Sequence, residues 1–137
     1  MLSSPQLSSF EEGIASNGKV QIYYRDYGPS DAEPILLVQG LGGQLINWPD
    51  HLIEFLIENN FRPIVFDNRD TGLSSRIDSD LFSDNKRNQT IVTSYIRYFL
   101  RLPIKPVYDL DDMALDSISI LDKLDIKKAH LLGISMG

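Results

Sequence analysis

The sequence predicts an α/β fold built on a doubly wound, mostly parallel sheet, and three observations carry that expectation. The short runs PILLV (34–38), RPIVF (62–66) and AHLLGI (129–134) have the near-continuous hydrophobicity of inner strands covered by helices on both faces. Segments with apolar residues at helical spacing lie between them. Strand alternating with helix is the order that closes into a parallel sheet through right-handed crossovers.

Each element has its own local reasons. In KVQIYYRDY (19–27), Val20, Ile22 and Tyr24 alternate with Gln21, Tyr23 and Arg25, the period of a half-buried strand, and Gly28-Pro29-Ser30 closes it. In WPDHLIEFLIENN, Pro49 suits the first helical position, Leu52, Phe55 and Leu56 share a face, and Asn59 or Asn60 suits a left-handed cap. In YDLDDMALDSISILDKL, Asp109 is the expected N-cap, Asp112 sits at the capping-box position, and Tyr108 can staple onto Met113. Ala114, Ile118 and Leu121, flanked by Met113 and Leu124, are then expected to be buried. Between 78 and 106 the pattern is less regular. Ile91, Tyr95, Phe99 and Leu102 suggest one short amphipathic helix, stopped by Pro103 and Pro106.

Composition narrows the function classes. A chain of 137 residues with 42% hydrophobic content supplies one domain core. Its net charge of −6 argues against a sequence-independent grip on nucleic acid or anionic lipid, so a small-molecule substrate fits better. There is no cysteine, which removes disulfides and thiolate metal sites, and His51 and His130 are too few and too far apart in sequence for a metal centre. No cofactor is expected. The N-terminal MLSSPQLSSFEEG has no signal-peptide pattern and no apolar run is long enough to span a bilayer, which makes the cytoplasm the default compartment. Asn88-Gln89-Thr90 fits a glycosylation acceptor but is read as chance in that setting.

The chemistry centres on GISMG, residues 133–137. An alcohol is a poor nucleophile near neutral pH and needs a base within reach and donors aimed at the developing oxyanion. A Gly-x-Ser-x-Gly turn after a buried strand pushes the serine hydroxyl outward, and this arrangement makes Ser135 the candidate nucleophile. A second glycine-rich turn, QGLGG (39–43), follows another inner strand. If Ser135 attacks a carbonyl, the main-chain amides of Leu41 and Met136 are the natural oxyanion donors. A dinucleotide loop is disfavoured, because Leu45 stands where the Gly-x-Gly-x-x-Gly fingerprint needs its third glycine. In FDNRDTGLSS (66–75), a triad role for a carboxylate is possible on paper, but an ion pair between neighbours such as Arg69 and Asp70 holding a turn is the preferred account.

Together the three motifs resemble the N-terminal half of an α/β-hydrolase. Gln39-Gly40 matches the family's strand-end His-Gly, Asp67 to Ser74 matches its D-x-R-G-x-G-x-S turn, and Gly133 to Gly137 match its nucleophile elbow. The wording of these motifs is most similar to a bacterial esterase-like branch that includes aclacinomycin methylesterase. Gln39 replaces the usual histidine and Asp70 the usual glycine, neither of which removes the main-chain donor at Leu41. Serine at 135, where dehalogenase relatives carry aspartate, implies acyl transfer on carboxylic esters, with cofactor-free haloperoxidases and perhydrolases as the alternative within the fold. The resemblance implies that residues 1–137 are the N-terminal part of one hydrolase domain, with cap, acid and histidine beyond them.

Neither histidine present suits the role of base. His130 starts the strand that Ser135 ends, roughly 16 Å away at about 3.3 Å per residue, and His51 falls in a helix after the glycine loop. The 137-residue chain is therefore expected to be inactive alone. Its last strand would be an open apolar edge, prone to self-association or to pairing with a partner. A non-catalytic domain that needs such a partner is the competing expectation.

Overall fold

The computed structural model describes residues 9–77, 93, 96–102 and 107–137. The strands are β1 (Glu11–Asn17), β2 (Val20–Asp26), β3 (Glu33–Val38), β4 (Phe61–Phe66) and β5 (His130–Gly133); the helices are α1 (Asp50–Glu58) and α2 (Leu110–Lys123). They form a five-stranded sheet in the order β1-β2-β4-β3-β5. The three apolar runs of the sequence become its parallel part, β4 and β5 flanking β3, while β2 joins β4 antiparallel and β1 folds back on β2. Gly18, at φ +60, makes the two-residue turn of that hairpin.

Helices cover both faces, as the alternation of β3 and β4 requires. Ile35, Leu37 and Val65 point to one side and pack with Ile53 and Leu56 of α1, together with Leu45 and Trp48. Leu36, Ile64 and Phe66 point to the other side, where Ile22, Tyr24 and Ala15 of the hairpin meet Ile120 of α2. Ile120 is fully buried, a position where truncation to alanine typically costs about 2–5 kcal/mol.

Several local expectations shift by a residue or a face. Pro49 is the N-cap of α1, one position before the first helical residue, and its carbonyl accepts from the amides of Leu52 and Ile53. Ile53 and Leu56 form the buried stripe, whereas Phe55 is turned outward. Asn60 takes the left-handed conformation after the helix, at φ +63. In α2 the capping box of Asp109 and Asp112 forms as expected, each side chain accepting from the other's amide at 3.0 Å.

The buried face of α2 is nevertheless not the expected one. Asp116 and Ile120 face the sheet, while Ala114 and Ile118 are exposed and, with Leu121, border an apolar groove of about 410 Å³ beside Leu131. β5 has the composition of an inner strand but lies at the sheet edge, as expected for the last strand of these residues, with Leu131 71% exposed, because among the described residues no strand pairs with its outer side. In the middle segment a helical turn is described at 96–99, and Phe99 and Leu102 are exposed. Ile91, Tyr95, Pro103, Pro106 and the Asn88-Gln89-Thr90 triplet lie outside the described residues. Among the described residues no helix is long and apolar enough to cross a membrane.

Candidate active site

Because β3, β4 and β5 run parallel, their C-terminal ends deliver three turns to one rim of the sheet. The turn after β5 is the tightest. The Ile134 amide donates to the Val38 carbonyl at 3.1 Å, prolonging the pairing with β3, and the Gly137 amide donates back to Ile134 at 3.0 Å. Between them Ser135 sits at φ +60, a left-handed conformation that a non-glycine residue adopts at a cost on the order of 1–3 kcal/mol. The flanking glycines are needed for space: a Cβ on Gly133 would run into the main chain of Gly137, and one on Gly137 into the Val38 carbonyl.

The turn after β3 comes up against that serine. A Cβ on Gly40 would lie 2.7 Å from the Ser135 Cβ and 3.0 Å from its Oγ, so only glycine allows this approach. The loop then reverses, with Gly42 at φ +73 and the Gly43 amide donating to the Gly40 carbonyl at 3.1 Å, and enters a short 3-10 helix at Leu45–Asn47. Leu41 and Met136 border the same cleft of about 390 Å³, whose wall is completed by Tyr108 and Met113. Among the described residues neither the Leu41 nor the Met136 amide has an acceptor. Ser135 thus lies against Gly40, and its neighbour Met136 shares the cleft with Leu41.

The turn after β4 underpins the loop after β3. Asp67 is buried, and its two carboxylate oxygens accept from main-chain amides: Oδ1 from Leu45 at 2.8 Å and Oδ2 from Leu73 at 2.9 Å. A carboxylate committed in this way holds loops and is not placed to orient a histidine. Gly72, at φ +52, packs so closely on it that a Cβ there would collide with the carboxylate. The Asn68 side chain donates to the Gln39 carbonyl at 3.0 Å.

The ion pair expected within this turn has a different partner. Arg69 does not pair with Asp70; its Nε donates to Asp116 Oδ2 at 2.7 Å and its Nη2 to Asp116 Oδ1 at 2.9 Å, across 47 residues of chain. Asn17 Nδ2 donates to the same carboxylate at 2.9 Å, and Arg69 also reaches the Asp112 carbonyl. Hydrogen bonding to Asp116 raises the Arg69 pKa against the opposing effect of burial, so the guanidinium is firmly charged. The Tyr108 ring lies under it, 4.9 Å from centroid to the guanidinium carbon. Asp70 closes the turn on itself, at φ +64, with Oδ1 accepting from the Ile77 amide. No motif spacing in the sequence pointed to Asp116, whose burial and pairing with Arg69 become visible only in the fold.

Neither histidine lines this cleft. His130 pairs in register with Ile35 at the opposite end of β5, edge-on to Phe61 with ring centroids 5.5 Å apart, and 3.9 Å from Glu33. His51 is exposed on the first turn of α1. Among the described residues no group of three or more His, Cys, Asp or Glu side chains could hold a metal ion.

Comparison with known proteins identifies the fold. The family model for the alpha/beta hydrolase fold matches residues 33–137. Rhodomycin D methylesterase DnrP of Streptomyces peucetius is 30% identical over 125 residues, covering 90% of this chain and 34% of its own length. A non-heme chloroperoxidase of Burkholderia pyrrocinia is 25% identical over 124 residues, again 90% of this chain and 34% of its own. Among solved structures, epoxide hydrolase A of Mycobacterium thermoresistibile superposes with a TM-score of 0.65 at 18% identity, covering 91% of this chain and 31% of that one. The chain therefore spans about a third of the length of the curated relatives it matches.

Proposed function

The chain belongs to the alpha/beta hydrolase fold family, and from that premise we propose that it carries the nucleophile and oxyanion donors of a serine hydrolase acting on carboxylic esters. The observation that carries this reading is the backbone of Ser135: a non-glycine residue held at φ +60 between two sterically required glycines, against Gly40. Strain of this kind persists only where the surroundings enforce it.

The chemistry follows from that placement. Ser135 Oγ attacks the ester carbonyl carbon as its proton passes to a base. The negative charge that develops on the carbonyl oxygen is met by the amides of Leu41 and Met136, main-chain donors of the kind that stabilise an oxyanion. Collapse of the tetrahedral species expels the alcohol, which takes up the proton from the base. Water then attacks the acyl-enzyme by the same route and regenerates Ser135. On this reading the base and its acid partner come from sequence outside these 137 residues, since His130 lies at the opposite end of β5 and His51 does not line the cleft. The 30% identity to a methylesterase favours a carboxylic ester as substrate.

The test compares a longer polypeptide containing this chain with its Ser135→Ala variant on p-nitrophenyl acetate. Loss of at least about a thousandfold in kcat is expected from removing a catalytic nucleophile. Equal turnover by the two proteins would sink the assignment and leave the non-catalytic domain as the better account. The 137 residues alone are expected to show no Ser135-dependent turnover. The likeness to a non-heme chloroperoxidase supports a second reading, in which hydrogen peroxide replaces water at the acyl-enzyme and releases a peracid. Faster Ser135-dependent halide oxidation from acetate and peroxide than ester hydrolysis would select it.

A further inference from the structure

We propose that Asp67 and Asn68 are positioning residues that set the direction of the Leu41 amide by pinning both ends of its loop, an inference that rests on reading Ser135 as the nucleophile. The pins are adjacent residues at the end of β4. Asn68 Nδ2 donates to the Gln39 carbonyl at 3.0 Å, and both residues are buried. That carbonyl belongs to the peptide plane between Gln39 and Gly40, so holding its oxygen inward fixes the rotation with which the chain enters Gly40. Asp67 Oδ1 accepts from the Leu45 amide at 2.8 Å, which fixes where the chain leaves the loop and enters the core.

Between the two pins the loop has little freedom left. The Gly43 amide is tied to the Gly40 carbonyl, and a Cβ on Gly43 would lie 2.7 Å from the Gln39 side-chain oxygen, so the reversal packs on its own first residue. Leu41 stands at the apex with its side chain 89% exposed, so no packing of its own orients it. The direction of its amide is inherited from the pins. Asp67 is itself braced by the Leu73 amide and by Gly72, and the Ser74 hydroxyl donates to the Asp67 carbonyl at 2.6 Å. The turn after β4 therefore acts on catalysis through the loop after β3, without touching substrate.

The experiment replaces Asn68 with leucine, which keeps the branched shape and removes the donor, and separately Asp67 with asparagine, which keeps one acceptor and removes the charge. Amide hydrogen exchange of residues 39–45 and the kinetics of ester hydrolysis are both read in the active protein that contains this chain. Expected are faster exchange confined to 39–45 and a kcat reduced about tenfold to a hundredfold with KM nearly unchanged, the scale of a misplaced oxyanion donor. Asn68→Ser, which restores a short donor, is expected to recover part of kcat. Unchanged exchange in 39–45 for both variants, or a raised KM at constant kcat, overturns the proposal. Should Ser135→Ala leave turnover intact, the hydrolase reading fails by itself, and faster loop exchange in the Asn68 variant would still show the pin.

Discussion

Replacing Asp116 with alanine should be among the most damaging single changes to this fold. The carboxylate is 1% exposed and accepts three hydrogen bonds, two from Arg69 at 2.7 and 2.9 Å and one from Asn17 at 2.9 Å. Its removal leaves the Arg69 guanidinium, itself 6% exposed, without a counter-charge. Losing one partner of a buried pair costs about 3–5 kcal/mol. The Asp112 carbonyl at 3.1 Å and the Tyr108 ring remain to Arg69, so the lower half of that range, about 3–4 kcal/mol, is expected. A domain typically has only about 5–15 kcal/mol in total. Equilibrium urea unfolding reads the effect as a lower midpoint at constant slope. The double variant Arg69→Met, Asp116→Leu should recover most of the loss, because both charges leave the interior together. A single-variant loss below about 1 kcal/mol, or a double-variant loss equal to the sum of the two singles, would refute the reasoning from uncompensated charge.

Further outcomes are expected from other parts of the molecule. Gly40→Ala should reduce ester hydrolysis by about a hundredfold, because its Cβ would displace the loop from Ser135; kinetics beside a thermal melt check it, and a melt lowered as much as activity would point to global damage instead. The Tyr24 phenol is held above its ordinary value first by burial and then by the Asp26 and Glu11 charges, with Arg62 pulling the other way. Its contribution to stability is thus complete below about pH 10 and is lost as pH rises through the higher folded value. Urea midpoints followed across alkaline pH should fall less in Tyr24→Phe than in the wild type. Leu131, exposed on the edge strand β5, should promote association of the 137-residue chain; Leu131→Lys is expected to shift sedimentation toward monomer, and an unchanged profile would exonerate this edge.

What the sequence revealed was mostly local. The three parallel strands announced themselves by composition, the Asp109–Asp112 box by its spacing, and the three turns by glycines whose need is now visible as collisions that a Cβ would cause. Features that depend on distant residues were not legible. β1 reads EEGIASN, too polar to stand out, and becomes a strand because β2 offers it a full antiparallel partner. Asp116 reads as one more acid on a helix surface, and only the arrival of Arg69 and Asn17 from other parts of the chain makes it an interior residue. The face of α2 follows from that pair: turning Asp116 and Ile120 toward the sheet leaves Ala114 and Ile118 outside.

The conformation of Ser135 has a consequence for how such a chain tolerates change. At φ +60 glycine would be comfortable where serine is not, and exchanging the side chain for hydrogen would relax the turn by about 1 kcal/mol. On the proposed reading of Ser135 as nucleophile, the fold and the chemistry therefore want different residues at this one position. Glycine at 135 is thus a change that a screen for stability alone would favour and a screen for hydrolysis would reject.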